Sequence, residues 1–313
     1  MKNILLKIAN LLYINMQYMN SYGLLKGKMG AALFFYEYSR YSDNDVYNDY
    51  ADRILDDILD AISNKKVCDS SDLNDGLGGI GWGIQYLINH KFVEGEADEV
   101  LIDFDKKIQE SIDGLKNIPT LEWSKFIAEN EFFLGLDTYV LSRSKESIYN
   151  FENLQKIVDF YFSILKGGQT FSMQFLNTCY SFLLFNYTKM EGKHTLFFKD
   201  KLKEAYLKSI NEKRYLYSDI KVLHRLLKQK EYFLNIDHPK LDVEQDISLL
   251  NNIDLYLNTF KVELLSIDND YQLLDETVVN KYLDELMKDI PSANLTLGQG
   301  LTGVGLSILK AIK

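Results

Sequence analysis

The feature that most constrains this chain is a set of long stretches that are apolar on every side. Met29–Tyr38 (MGAALFFYEY) carries one charge, Glu37, and Gly79–Ile88 (GIGWGIQYLI) carries none. Phe171–Tyr187 and Gly300–Leu309 (GLTGVGLSIL) carry none either. A segment without a polar face has to be covered on several sides, as a buried helix or as a strand of a buried parallel sheet. These stretches run ten residues or more, and the first two show no β-branched enrichment, so they are read as helices. Three prolines, Pro119, Pro239 and Pro291, beside 21 Tyr and 18 Phe suit long uninterrupted helices with thick aromatic interfaces.

Between them lie segments of helical period with one wet face. Tyr47, Tyr50, Ala51, Ile54, Leu55, Ile58, Leu59 and Ile62 form one stripe, with Asp52, Arg53, Asp56 and Asp57 opposite. Similar stripes recur through 97–108, 151–165 and 278–290. The buried stretches share a glycine start. Gly27-Lys28-Met29-Gly30-Ala31-Ala32-Leu33 aligns with Gly76-Leu77-Gly78-Gly79-Ile80-Gly81-Trp82 and with Gly300-Leu301-Thr302-Gly303-Val304-Gly305-Leu306. Glu131–Leu141, with Gly135, reads as a degenerate copy. Glycine in a helix costs about 1 kcal/mol relative to alanine, so its repetition at i and i+3 points to close backbone approach. No Gly-Lys-Ser/Thr occurs and the glycines follow no strand, which excludes a phosphate-binding loop of that kind.

The repeat is an outer amphipathic helix, a loop, then a buried helix opened by glycine. The pairings are 3–15 with 27–41, 46–62 with 76–90, 97–113 with 131–144, 148–166 with 172–188, and 278–290 with 300–312. A further pair falls at 197–210 and 216–227, and 242–265 is ambiguous. The last repeat ends as apolar as the others, where an open solenoid would present a polar cap. The expected fold is therefore all-α, a closed α/α toroid of six or seven helical hairpins, in one domain over 1–313. No Gly/Ser/Pro-rich linker divides it.

Charged residues make up 26% and hydrophobic ones 46%, which excludes a disordered chain. A net charge of −10 speaks against nucleic-acid partners. Cys68 and Cys179 cannot build a disulfide framework, so a reducing, cytoplasmic setting is expected. Lys7 interrupts the first apolar run, so no secretory signal is expected. The longest uncharged stretch, Gly167–Thr188, contains Gln169, Gln174, Asn177 and Asn186 and is not a membrane span.

The loops that enter the buried helices carry the candidate ligand-binding residues Asp72, Asp75, Glu122, Trp123, Thr296 and Gln299. They should gather at one end of the ring, where helix dipoles favour anionic groups. Asp72 or Asp75 equally suits a helix N-cap. Read instead as a rim carboxylate with Glu37, Asp137 or Glu122 as partner, it would serve paired-carboxylate glycoside hydrolysis. Trp82 and Trp123 could stack on a ligand, although core packing is the commoner use. His90, His194, His224 and His238 make no metal-ligand spacing.

The motifs Gly27-Lys-Met-Gly30, Asp75-Gly76-Leu77-Gly78-Gly79-Ile80-Gly81-Trp82-Gly83 and Gly300-Leu-Thr-Gly303-Val-Gly305-Leu resemble those of the lanthionine synthetase C-like family. The spacing spans nearly the whole chain, with a poor match in the middle third. The resemblance implies a double ring of helices whose inner members open on such motifs. It also implies peptide chemistry. The family's cyclases hold zinc through two cysteines and a histidine, the second cysteine directly preceding that histidine. Their zinc activates a peptide thiol for addition to a dehydrated Ser or Thr. Here no Cys-His pair exists, and the nearest echo is Cys179-Tyr180 with Leu223-His224. The resemblance thus implies a divergent member without zinc or any other cofactor, and no thioether cyclase activity. Such a protein would be a peptide- or partner-binding accessory factor of bacterial peptide maturation. Its partner would be a precursor peptide or a maturation enzyme held at the ring's rim. The alternative is a six-hairpin glycosidase-like enzyme of carbohydrate metabolism using paired carboxylates.

Overall fold

Helix periodicity in the sequence is matched by helices in the structure. The computed structural model describes residues 1–67, 70–117, 139–140, 142–143, 148–186, 193–215, 217–229, 234, 236, 276–286, 295–298 and 300–312. Among them stand twelve α-helices and no strand, so the chain is all-α. The described residues fall into two compact units. One takes those of Met1–Phe104 and Asp268–Lys313, the other those of Asp105–Gln245.

The first unit holds α1 (Lys2–Asn15), α2 (Lys28–Ser42), α3 (Asp45–Ser63), α4 (Leu77–Asn89) and α5 (Ala97–Val100). Late in the chain it adds α11 (Glu276–Leu286) and α12 (Leu301–Ala311). As expected for inner helices, α2 is buried from Met29 through Ser39, α4 from Leu77 through Gln85, and α12 from Leu301 through Leu309. The outer helix α3 buries only Ala51, Ile54, Ile58 and Ala61 along one stripe. Its start is set by Asn44, whose side chain accepts from Val46 N, with Asp45 in the first turn beside the positive helix end.

The hairpin differs from the expected one. α2 makes its most extensive contact with α3, which follows it, and not with α1, which precedes it. The cause is connection length. Only Asp43, in the left-handed region at φ 52°, and Asn44 join α2 to α3. So short a link forces antiparallel neighbours, whereas residues 64–76 leave α3 and α4 free to diverge. The repeat is therefore a buried helix followed by its outer helix. The expected helix over 97–113 also divides: Leu101, at φ −100° and ψ 11°, separates α5 from α6 (Ile102–Gly114) while keeping its own side chain buried.

The first and last glycine-started helices meet. α12 lies against α2 and α1, and a Cβ on Gly305 would overlap the Phe34 ring and stand 3.2 Å from Ile8 Cγ2. This is the contact required of first and last repeats.

The second unit takes in most of α6, then α7 (Phe151–Leu165), α8 (Met173–Asn186), α9 (Lys193–Asn211) and α10 (Tyr217–Gln229). α8 packs on α9 and α10, repeating the buried-then-outer order of α2 and α3. Asn177 fastens α8 to both: its amide donates to Asp219 O at 3.0 Å and its carbonyl accepts from Tyr206 Oη at 2.9 Å. Of the degenerate copy at 131–141 only Tyr139 and Val140 are described, and both are fully buried. The Tyr139 hydroxyl donates to Asp105 at 2.7 Å, and Arg143 forks onto the same carboxylate at 3.0 and 2.8 Å. Burial, then the Asp105 carboxylate, raises the Tyr139 pKa far above that of a free phenol. The ambiguous stretch 242–265 lies outside the described residues.

Gly305→Ala should lower stability by about 1–3 kcal/mol, because the fully buried Phe34 ring cannot yield to a new methyl. Gly114→Ala, where a Cβ meets nothing within 4 Å, should raise stability by about 0.5–1 kcal/mol. Urea denaturation of the two variants beside wild type reads both signs. A neutral Gly305→Ala would refute the contact between α12 and α2.

Candidate functional site

An α-helix leaves its first N–H groups without intrahelical acceptors, and a side-chain cap usually takes one. α2, α4 and α12 start instead on Gly27, Gly76 and Gly300, each extended and none offering a side chain. The entering loop supplies the acceptors. Lys28 N donates to Ser21 O at 2.9 Å, Leu77 N to Ser70 O at 2.8 Å, and Gly79 N to Asp72 O at 3.1 Å. In α12, Gly303 N donates to Thr296 O at 3.4 Å and the Thr302 hydroxyl to Leu295 O at 2.5 Å. Every one of these bonds reaches back seven residues. The same loop wraps each helix start, and glycine is required because the loop backbone lies on the first turn. A Cβ at Gly79 would stand 2.6 Å from Leu73 O.

The three loops also hold one another. Leu25 N donates to Leu73 O at 3.0 Å, Lys26 N to Asn74 O at 3.3 Å, and Gly298 N to Leu25 O at 2.8 Å. Side chains follow the same order: Leu24 lies over Gly79 and Leu297 over Gly30, where added Cβ atoms would come within 2.9 and 2.8 Å of theirs. In this unit the loops entering α2, α4 and α12 therefore do gather.

Asp72 is buried, and its role is internal. Its Oδ1 accepts from Asn74 N at 2.7 Å and Asp75 N at 2.9 Å, and its Oδ2 accepts the Ser70 hydroxyl. It folds the loop on itself and does not cap α4, whose N-cap is Gly76. Asp75 is half-buried and accepts the Ser21 hydroxyl from the neighbouring loop, so it caps no helix either. Thr296 is buried, with its carbonyl turned to Gly300 N and Gly303 N. Glu122, Trp123 and Gln299 lie outside the described residues, as do Asp137, Cys68 and His238. The N–H groups expected to draw an anion are partly spent on loop carbonyls.

Lys28, the lysine of the first motif, pairs with Asp57 of α3 and lies 4.8 Å over the Tyr22 ring. Trp82 is in the core, stacked on Tyr86 at 5.4 Å. Glu37 is 1% exposed and accepts the Tyr86 hydroxyl. Burial and the Asp52 carboxylate, reached at 2.6 Å, raise the Tyr36 pKa well above a free phenol's. Burial likewise pushes Tyr38 up to about 12.

In the second unit Cys179 forms no disulfide and is at 0% exposure in α8. His224 is half-buried on α10, preceded by the fully buried Leu223. Among the described residues no three His, Cys, Asp or Glu side chains gather where a metal could be held. A cavity of about 540 Å³ opens beside α6 and α7, with Ile112, Leu115 and Phe160 on its apolar side and Lys116 and Lys156 at its edge. Lys156 binds Asp113 at 2.8 Å and Glu152 at 2.7 Å, and this hydrogen bonding holds the Asp113 pKa below the usual carboxylate range. No sequence-predicted site residue lines this cavity.

The interlocking leucines escaped the sequence reading although a signal existed. Leu24, Leu73 and Leu297 each stand six residues before the glycine that follows the first of their motif by three: Gly30, Gly79 and Gly303. The Ser21 contact had no such signal, because nothing in the spacing links residue 21 to residue 75.

Asp72→Ala should destabilise the protein by about 1–3 kcal/mol by stranding two loop N–H groups. Asp72→Asn, which keeps an acceptor for both, should cost less than half of that. Equal losses in thermal denaturation would show that the carboxylate's hydrogen bonds to the loop are not what matters.

A model of the lanthionine synthetase C-like proteins matches residues 18–175, half of the 313-residue chain. No curated protein and no solved structure matches it. The matched span contains the glycine starts of α2 and α4, and α12 repeats their loop geometry outside it. The chain belongs to the lanthionine synthetase C-like family.

Proposed function

We propose that this protein is a non-catalytic member of its family, a single cytoplasmic domain acting as a peptide- or partner-binding accessory factor in bacterial peptide maturation. The observation that carries the reading is the state of Cys179. Its thiol is fully buried within α8, and a cysteine so placed commonly serves as a small core residue. Leu223 fills the place of the cysteine that precedes the family histidine. A Cys-Cys-His centre needs three such donors, so the donor set present does not fit the family's zinc. The reaction that zinc supports is not assigned to this chain. The ligand would be a precursor peptide or a maturation enzyme, and Glu122, Trp123 and Gln299 are proposed as contact residues. Asp72, Asp75 and Thr296 would then position the loops around the ligand. Paired-carboxylate hydrolysis gains no support, because Asp72 spends both oxygens inside its own loop and Glu37 is buried against Tyr86.

Elemental analysis of protein purified without chelators should find well under one zinc per chain. Stoichiometric zinc that disappears in Cys179→Ala would return the protein to the enzymes. Trp123→Ala should weaken capture of a candidate precursor peptide by about tenfold, a loss typical of an aromatic anchor. Unchanged affinity with intact helicity would remove Trp123 from the site.

A further inference from the structure

The outward face of α3 carries more negative charge than its own fold uses. The helix holds six aspartates, Asp45, Asp49, Asp52, Asp56, Asp57 and Asp60, against one cation, Arg53. Three are engaged: Asp45 lies in the first turn at the positive helix end, Asp57 pairs with Lys28, and Asp52 accepts from Tyr36 and Asn48. Asp45, Asp49, Asp56 and Asp60 are exposed and form no ion pair among the described residues. Like charges four apart repel along a helix, and Asp45–Asp49, Asp52–Asp56 and Asp56–Asp60 all stand at that spacing. Aspartate is also a poor residue for helix interiors. The stripe therefore weakens the helix that bears it.

An apolar edge adjoins the stripe. Val46 on α3 is 62% exposed, and Ile14 and Tyr13 on α1 are 67% and 50% exposed. The Tyr13 and Tyr50 rings, with centroids 4.5 Å apart, join the two helices at this edge. An anionic lipid surface or a nucleic acid would be repelled by the aspartates, and a second copy of a chain with net charge −10 is an unfavourable partner. The complement is a segment with apolar residues along one side and Lys or Arg along the other. We infer that the α1–α3 face is a docking surface for a cationic amphipathic peptide segment of a partner protein. Its apolar side lies over Val46, Tyr13 and Ile14, and its basic side meets Asp49, Asp56 and Asp60. This goes beyond the accessory-factor reading and stands or falls separately, since it uses none of the loops entering the buried helices.

The test is fluorescence anisotropy on the full chain, with a labelled peptide of leucines and lysines placed at helical spacing. Its glutamate counterpart serves as the control. Binding should be saturable and should weaken steeply between about 0.05 M and about 0.5 M salt. Asp49→Asn/Asp56→Asn/Asp60→Asn should weaken it by roughly tenfold, and Ile14→Ser/Val46→Ser by roughly threefold or more. Glu99→Gln/Asp103→Asn/Glu110→Gln removes the same charge elsewhere and should change affinity by less than about twofold. Equal losses from the two charge sets would overturn the inference, because they would reflect net charge alone. So would comparable binding of the glutamate peptide or of phosphatidylserine vesicles, or sedimentation showing a dimer that Val46→Ser dissolves. Circular dichroism confirms that each surface variant keeps its helices.

Discussion

The first unit depends on a contact that only glycine permits. At Gly30 and Gly79 the position of a side chain is occupied twice over, by the carbonyl of the entering loop's own leucine and by the leucine side chain of a neighbouring loop. The magnitudes explain why glycine persists in these helices. A helical glycine costs about 1 kcal/mol against alanine. A fully buried leucine contributes about 1.5–3 kcal/mol, and Leu24, Leu73 and Leu297 are all buried. Each contact therefore more than offsets its glycine. The same approach brings loop carbonyls within reach of N–H groups at the helix start, so a helix without a side-chain cap is capped by backbone.

How far the sequence could be read follows from what each signal reports. All-round apolarity reports coverage, and α2, α4 and α12 are buried where Met29–Tyr38, Gly79–Ile88 and Gly300–Leu309 said they would be. Periodicity reports a face, and α3 buries Ala51, Ile54 and Ile58 as its stripe requires. Neither signal reports which helix lies beside which. That depends on the length of the connection, and the two-residue link at Asp43 and Asn44 paired α2 with α3, against the pairing inferred from order alone. The break at Leu101 was equally silent, because its apolar side chain continues the stripe while its backbone leaves the helix.

The candidate site was legible in kind but not in use. The loop aspartates were visible as polar residues before a helix, a position that suits a cap or a ligand. Neither reading describes Asp72, whose nearest donors are N–H groups two and three residues ahead in its own loop. Asp75 turns to Ser21, a partner 54 residues away that no local pattern announces. Polar side chains in tightly packed loops find the nearest unsatisfied donor, and that donor is set by the fold of the loop more than by residue type.

The family fold can be kept without reference to the family chemistry. The glycine-and-leucine interlock uses backbone atoms and methyl groups, and none of its members could bind a metal or move a proton. It can persist while the donor residues elsewhere change. Cys179, fully buried in α8 of the second unit, takes no part in that interlock. Fold and function then rest on different residues, and membership in the family speaks for the first set only. What remains exposed on the scaffold, above all the unpaired aspartates of α3, is where selection for a partner would leave its mark. Asp49, Asp56 and Asp60, beyond the first turn, carry a stability cost, and nothing in the packing beneath them requires it.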